Sequence, residues 1–581
     1  WPQTNSDEDT MGLMALHIVN RGEHPIFFYG QNYMGAFEAY LGAALFHLFG
    51  ASVFTLRLGT ILLFTLFLVS MYLLTSLLYT KKLALVVLVL LSLGSIVVLD
   101  TQLVALGGYP ELLLFGSLAM LLASWLALTS GQYASRSTKY WRLIGYLCWG
   151  LVVGLGFWSD FLMIPFMLAS GLLLALFCWR ELLNGAVLCL LLGLMIGVFP
   201  LIAYNLKAPP GQDTLTVLKG LSHNGSVELA QNHDYNQIPL VREIRGTMLI
   251  SLPSATGGPT FCADSELRLF GRTSLGAFPC THVFESRRLT LLALGWSLGF
   301  VILWLVAVFQ TIGALWKLRP RSSIRTQSLE KKQAVIRHSA RLLLLGSAGL
   351  TLALFISSPA SAVWPTNARY LIGLLVALPA LLSPLWGNID TLKMSYNKPT
   401  DPAVGPDKSG PTLIDRASET PTTFPDQLVK SHNHSLQPNP TTIMSALRIG
   451  ILLLIGIVFL LGTISAFSEI PIVQANAQQE GALISNLLRI HATHIYSEYW
   501  TCNRLIFQSH EQIICASLDD SLQSTHNRYL PYYSTVKADP NAVYVFPLGS
   551  AQANTFAKEI RLSKKHYQRF VFNGYVVYQP G

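Results

Sequence analysis

The sequence predicts a polytopic α-helical membrane protein that ends in a small α/β domain outside the cytoplasm, and three observations carry that reading. Only 12% of the 581 residues are charged, about half the globular norm, and the mean hydropathy is +0.44. Apolar runs of roughly 17–25 residues recur along the chain, long enough to cross about 30 Å of hydrocarbon. From residue 468 onward the composition returns to globular balance.

Residues 1–53 read as a loop carrying surface helices. Ser6-x-x-Asp9 has the form of a capping-box start, 11–19 carries apolar residues at helical spacing, and Asn20-Arg21-Gly22 is a stop signal. Residues 33–49 read as a second apolar helix, with Glu38 and His47 as its polar exceptions, lying along the interface rather than across it. Spans are predicted at about 54–79, 83–100, 112–130, 143–159, 161–179, 185–205, 289–316, 342–358, 371–387 and 446–467. The transmembrane domain, 54–387, contains an outer insert at 206–288 that is too long for a simple connection and is predicted to fold as a cap. Residues 388–443 are rich in Pro, Thr, Ser, Asn and Asp and cannot bury enough apolar surface to offset chain entropy; they predict a disordered cytoplasmic linker before the last span within 444–467. In 468–581 a helix is predicted at 478–495 and a strand at 542–546. A hairpin is predicted over 570–578, because Asn573-Gly574 supplies the two positive φ angles of a type I′ turn.

The formal net charge of +9 does not read as a nucleic-acid footprint. The basic residues fall in alternate short loops: Lys81 and Lys82; Arg136, Lys139 and Arg142; Arg180; then Lys317, Arg319, Arg321, Arg325, Lys331, Lys332 and Arg337. The positive-inside rule puts those loops in the cytoplasm and leaves the first loop, 206–288 and the C-terminal domain outside. With the N-terminus outside and the sequence beginning at Trp1, an earlier inward-to-outward span is expected; no signal-peptide pattern is present. The cysteines agree. Cys148, Cys178 and Cys189 read as small core residues in spans, whereas Cys262 with Cys280, and Cys502 with Cys515, pair within outer regions and predict two disulfides.

The acids at the membrane edge invite chemistry, because charge is costly near hydrocarbon. Asp7, Glu8 and Asp9 alone are ordinary first-turn acids facing free amides. Their setting adds to this. Ser6-Asp7-Glu8-Asp9 is followed by Phe27-Phe28-Tyr29-Gly30-Gln31-Asn32-Tyr33-Met34-Gly35-Ala36-Phe37-Glu38 and then Leu56-Arg57-Leu58. Together these residues resemble the first outer loop of the GT-C superfamily of polyprenyl-phosphate-sugar glycosyltransferases. The resemblance is greatest to bacterial relatives of the dolichyl-phosphate-mannose protein mannosyltransferases, glycosyltransferase family 39. It implies a GT-C type membrane fold and an inverting transferase. Such an enzyme moves a sugar from a polyprenyl-phosphate carrier, undecaprenyl in a bacterium, to a protein, lipid or wall-glycan acceptor outside the cytoplasm. It also implies that Asp7 is the base or acceptor-positioning residue, with Glu8 beside it.

A sugar on polyprenyl phosphate already has a good leaving group, so one base suffices and the remaining need is positive charge on the departing phosphate. Glycoside hydrolysis, by contrast, generally requires two carboxyls. Arg369 and Tyr370, after Trp364-Pro365-Thr366-Asn367-Ala368, fit the phosphate role and resemble the superfamily's later outer loop; the alternative is an interfacial anchor. Gly107-Gly108-Tyr109-Pro110-Glu111 and Trp158-Ser159-Asp160 resemble further segments of the bacterial family. Tyr109, Glu111 and Asp160, with Tyr29, Gln31, Tyr33 and Glu38 of the first loop, are the expected substrate-binding set, against capping and turn roles for Glu111 and Asp160. Asp7-x-Asp9 has the form of a weak divalent-metal site, with Asp9 as the candidate, but the resemblance implies metal independence and no cofactor is expected. His17, His24 and His47 lack ligand spacing, and the cluster Tyr496, Tyr499-Trp500, Tyr529, Tyr532, Tyr533 reads as domain core. The expected setting is the plasma membrane, multi-pass, with the site on the outer side; the partners are membrane lipid, a lipid-linked sugar donor and an acceptor. A flippase of lipid-linked sugars and an inactive glycan-binding relative are the rival readings.

Overall fold

The structure, a computed structural model, describes residues 4–94, 96–131, 136–224, 240–258, 287–319, 329–362, 365–386, 440–562 and 566–581. The chain forms two compact units, 1–384 with 456–581, and 385–455. The described part of the second is helical, ending one helix at Trp386 and beginning another at Pro440.

The protein is a multi-pass membrane protein: eight described helices are long and apolar enough to cross a bilayer. The predicted span at 83–100 is not continuous. Helix α4 (Lys81–Ser92) stops, and α5 (Ile96–Leu103) resumes after a break. The freed Gly94 amide donates to Thr463 Oγ1 at 3.0 Å. The predicted spans 161–179 and 185–205 appear within one apolar stretch, Phe161–Asn205. The chain leaves helical geometry at Asn184 and Gly185, the latter at φ 95°, between α8 (Ile164–Glu181) and α9 (Val187–Asn205). Glycine alone takes that angle without strain.

Helix α9 packs against α7 (Arg136–Ser159) with backbones in contact. A Cβ at Gly193 would lie 2.0 Å from the Leu147 carbonyl oxygen, and one at Gly150 would lie 2.1 Å from that of Leu190. Gly154 and Gly197 extend the same seam. Lipid provides little hydrophobic drive between helices, so this close approach of small residues is what holds the pair.

The segment carrying Arg369 and Tyr370 is a 3₁₀ helix, Pro365–Ala377, continued by an α-helix, Leu378–Trp386. At a rise of about 2.0 Å per residue a 3₁₀ helix reaches further than an α-helix of the same length. Twenty residues, Asn367–Trp386, therefore suffice for a span.

Helix α1 (Ser6–Arg21) is capped one residue earlier than predicted. Asn5 Oδ1 accepts from the amides of Asp7 and Glu8, each at 3.0 Å. Ser6 is thereby freed: its hydroxyl donates to the Tyr499 carbonyl at 2.8 Å and accepts from Asn503 Nδ2 at 2.8 Å. Gly22, at φ 64°, ends the helix in the left-handed conformation the stop signal called for. Helix α2 begins at Phe37 and runs to Phe49, later than expected. Residues 27–36 form instead a turn closed by a Phe27–Gly35 bridge and a 2.8 Å bond from the Phe28 amide to the Met34 carbonyl.

The C-terminal domain carries a five-stranded sheet, ordered β2-β1-β3-β5-β4, from β1 (His494–Ser497), β2 (Ile514–Ser517), β3 (Val543–Pro547), β4 (Tyr567–Phe572) and β5 (Tyr575–Pro580). The β4–β5 hairpin turns at Asn573 (φ 48°) and Gly574 (φ 83°), as its sequence predicts. The helix before β1 runs Ile470–Arg489, so it starts and ends earlier than expected, and residues 494 and 495 belong to β1 instead. A disulfide joins Cys502 to Cys515. Cys262, Cys280 and much of the 206–288 insert lie outside the described residues, as does nearly all of the 388–443 segment.

Two cores meet on α1. Leu13 and Leu16 enter the C-terminal domain's core with Leu483, Leu487, Ile495, Leu505 and Ile506. Met11, Met14 and Ala15 pack with Phe28, Met34, Ala39, Phe46 and Phe507. Each large side chain buried this way contributes up to about 1.5–3 kcal/mol. Gly12 lets Phe507 approach, since a Cβ there would sit 2.6 Å from the ring. The result fixes the start of α1 between the membrane helices and the domain.

Candidate functional site

Successive residues on a helix point about 100° apart, so Asp7, Glu8 and Asp9 cannot share one environment. Asp7 alone is partly exposed, with its side chain 20% accessible. Its Oδ1 accepts from the Tyr499 hydroxyl at 2.6 Å and from Arg528 at 3.1 Å, and Arg528 Nε also donates to the Tyr499 hydroxyl at 2.9 Å. Both bonds fall on Oδ1, and among the described residues none falls on Oδ2. Arg528 stacks over Phe28 at 5.2 Å and over Tyr499 at 5.4 Å. Gly30, at φ 76°, takes part in this arrangement: a Cβ there would meet Arg528 Cδ at 3.5 Å.

Glu8 is fully buried and held bidentately by Arg57 of α3 (Val53–Leu78), at 2.7 and 2.6 Å. Its carboxylate is thus committed to joining α1 to α3. Asp9 is also buried, accepting from the Thr4 hydroxyl at 2.8 Å while its Oδ1 has no donor. Burial, then the neighbouring Glu8 charge, pushes Asp9 well above the ordinary carboxylate range. Asp7 and Asp9 therefore do not converge into a two-carboxylate site, and among the described residues no group of three metal-ligating side chains is assembled.

The opposite wall comes from the membrane helices. The Arg369 guanidinium lies over the rings of Tyr109 and Tyr370, at 5.6 and 5.5 Å, and its Nε is a buried donor without an acceptor. Asp160 caps a short turn through the Leu162 amide at 2.8 Å. Burial pushes its carboxyl up to about 6 against the opposing pull of that amide and Arg369. Gly108, at φ 82°, is needed here for space as well as angle, because a Cβ would lie 2.9 Å from Asp160 Oδ2. Gly35 likewise lets the first loop dock on the end of α7, its amide bonding the Ser159 carbonyl at 3.0 Å.

Tyr109 and Tyr370 thus gather on Arg369, while Tyr499 and Arg528 gather on Asp7. Glu38 and Glu111 lie buried, with the Gly107 amide donating to Glu38 at 3.1 Å. Gln31 belongs to the turn, its amide donating to the Phe28 carbonyl at 2.9 Å. Tyr29 turns away into a second polar cluster, donating to Glu23 at 2.6 Å and meeting His17 Nδ1 at 2.9 Å. There His17 Nε2 meets the Tyr532 hydroxyl at 2.7 Å, Tyr529 bonds Glu23 at 2.9 Å, and Arg21 pairs with Glu511. This cluster ties the far end of α1 to the C-terminal domain.

Sequence reading missed Arg528 and placed Tyr499 in the domain core, with stacking on sugar rings as the alternative. No spacing rule connects residues 521 positions apart; the one available signal was a basic residue beside the domain's aromatic concentration. Chemically, Asp7 is a carboxylate whose second oxygen receives no bond from the described residues, and Arg369 is a guanidinium with an unsatisfied donor.

No family model matches the sequence, and no curated protein matches it. Among solved structures the chain is similar to ArnT from Cupriavidus metallidurans bound to undecaprenyl phosphate, at 12% identity and a TM-score of 0.45, over 99% of this chain and 93% of that one. It is also similar to the archaeal oligosaccharyltransferase AglB from Archaeoglobus fulgidus in complex with an inhibitory peptide and a dolichol-phosphate, at 13% identity and a TM-score of 0.40, over 100% and 70% of the two chains.

Proposed function

We propose that the protein is an inverting glycosyltransferase that moves a sugar from a polyprenyl-phosphate carrier to an acceptor hydroxyl outside the cytoplasm. The observation that carries this reading is the open donor of Arg369, a buried Nε that lacks an acceptor, together with an Asp7 whose two bonds both fall on Oδ1. Asp7 Oδ2 takes the proton of the acceptor as its heteroatom bonds to the anomeric carbon. The bond from that carbon to the phosphate oxygen breaks, and the electron pair leaves with the phosphate. Arg369 receives the developing charge, with Tyr109 and Tyr370 fixing its plane. Asp160 and Tyr33 line the sugar side. Glu8 acts through Arg57 by holding α1 in place rather than by touching substrate. The alternation of basic loops supports an outward-facing site; in that arrangement 388–443 is a cytoplasmic linker and 468–581 an outer domain, and the setting proposed is the plasma membrane.

The test is sugar release from synthetic polyprenyl-phosphate sugars by the purified full chain, wild type beside Asp7→Asn. The expected result is turnover by wild type and a loss of roughly a hundredfold or more in the variant. Equal turnover in both removes Asp7 from the mechanism. Tight carrier binding without turnover replaces the transferase reading with a flippase.

A further inference from the structure

Behind the site, α2 and α6 (Tyr109–Leu128) meet through two acids, each in the first turn of its helix. Glu38 is 3% exposed and Glu111 is fully buried. Glu38 Oε2 accepts from the Gly107 amide at 3.1 Å. Glu38 Oε1 and both oxygens of Glu111 are buried without a hydrogen-bond donor, and the two carboxyls lie within hydrogen-bonding reach of one another.

Two ionised carboxylates in such a contact would leave three buried anionic oxygens unserved, which is among the most costly arrangements a protein interior offers. The neighbouring charges do not relieve it. Glu8, the next acid toward α1, is bound by Arg57, and Asp160, on the other side, faces Arg369 beside Tyr109. One proton does relieve it. An O–H on one carboxyl donates to the other, and the single remaining charge is served by the Gly107 amide. Burial, reinforced by Glu111, holds the Glu38 carboxyl well above the ordinary range.

We propose that Glu38 and Glu111 hold one proton between them and act together as a positioning pair for the Gly107–Gly108 turn that packs on Asp160. The turn is bonded to Glu38 at Gly107 and touches the Asp160 carboxyl at Gly108. The pair therefore sets the place of an acid in the site without itself meeting substrate. The catalytic consequence rests on the transferase reading; the shared proton does not.

Infrared spectroscopy of the purified full chain separates the two. The carbonyl stretch of a buried protonated carboxyl is measured in wild type, Glu38→Gln, Glu111→Gln and the double variant. A single shared proton predicts that each single variant loses the same one-carboxyl intensity and that the double variant loses no more. Loss of nothing in the single variants, or of twice as much in the double, overturns the proposal whether or not the protein proves to be a transferase. In the activity arm each glutamine variant, which can reproduce the O–H with its amide, retains turnover within about threefold, whereas Glu111→Ala loses roughly ten- to a hundredfold. Glutamine variants as impaired as alanine would remove the positioning role. Thermal unfolding of each variant distinguishes that outcome from simple misfolding.

Discussion

The two walls of the site are built differently. The membrane-side wall, Tyr109, Asp160, Arg369 and Tyr370, sits at helix starts and turns backed by glycine contacts and buried acids. Its guanidinium keeps a donor unsatisfied. The domain-side wall, Tyr499 and Arg528, is internally satisfied: each is bonded to the other and both to Asp7. The difference separates two tasks. A wall with an open donor is suited to receiving a ligand, whereas one whose donors converge on a single carboxylate oxygen is suited to orienting that carboxylate. Asp7 is held by the domain-side wall, and its neighbour Glu8 anchors the helix that carries it.

The largest expected effect concerns that anchor. Arg57→Met leaves Glu8 buried without its cation, which costs about 3–5 kcal/mol. The variant should lose thermal stability and detergent-extracted yield, and Glu8→Gln combined with Arg57→Met should recover most of it. If Arg57→Met unfolds like wild type, the pair is not what fixes α1, and the contrast between Asp7 and Glu8 fails.

The next prediction sets wall against wall. Tyr499→Phe removes a hydrogen bond to a charged group, a contribution of about 1.5–3 kcal/mol, or roughly ten- to a hundredfold in turnover. Because that bond orients Asp7 rather than holding the carrier, the loss should fall on kcat with the donor KM nearly unchanged. Arg369→Gln should instead weaken carrier binding, measured directly with a non-transferable polyprenyl phosphate. Identical kinetic signatures from the two variants would show that the walls do not divide the work.

The same division explains what the sequence made legible. The membrane wall announced itself through local patterns: paired glycines before Tyr109-Pro110-Glu111, an acid between two spans, an Arg-Tyr pair before an apolar run. Spans were readable because hydrocarbon imposes length and composition on them. Departures arose where tertiary partners decided. The break after Ser92 is satisfied by Thr463, and no local rule anticipates a donor and acceptor 369 residues apart. Asn5 displaced Ser6 as the cap because Ser6 is used by the distant helix Tyr499–Gln508. Arg528 was invisible for the same reason: its meaning depends on the domain folding back over α1.

The smallest expected effect probes how that folded-back arrangement is held at the far end of α1. Burial alone would raise Glu23 and Glu511, but the hydroxyls of Tyr29 and Tyr529 on Glu23, and His17 with Tyr532 on Glu511, outweigh it and hold both below the ordinary glutamate value of 4.5. For an acid depressed in the folded state, the stabilisation is present above the unfolded value and is lost as pH falls through the lower, folded one. The contact should therefore be intact at pH 5 and above and loosen only below about pH 4.5, where both acids take up protons. Glu511→Gln should remove part of that acid-dependent change while leaving neutral-pH behaviour nearly unaltered, because both acids are partly exposed and water screens their interactions. Hydrogen exchange across 14–21 at pH 7, 5 and 4 reads this directly. If exchange instead rises between pH 7 and 5, the Glu23 and Glu511 carboxylates are not what close the latch.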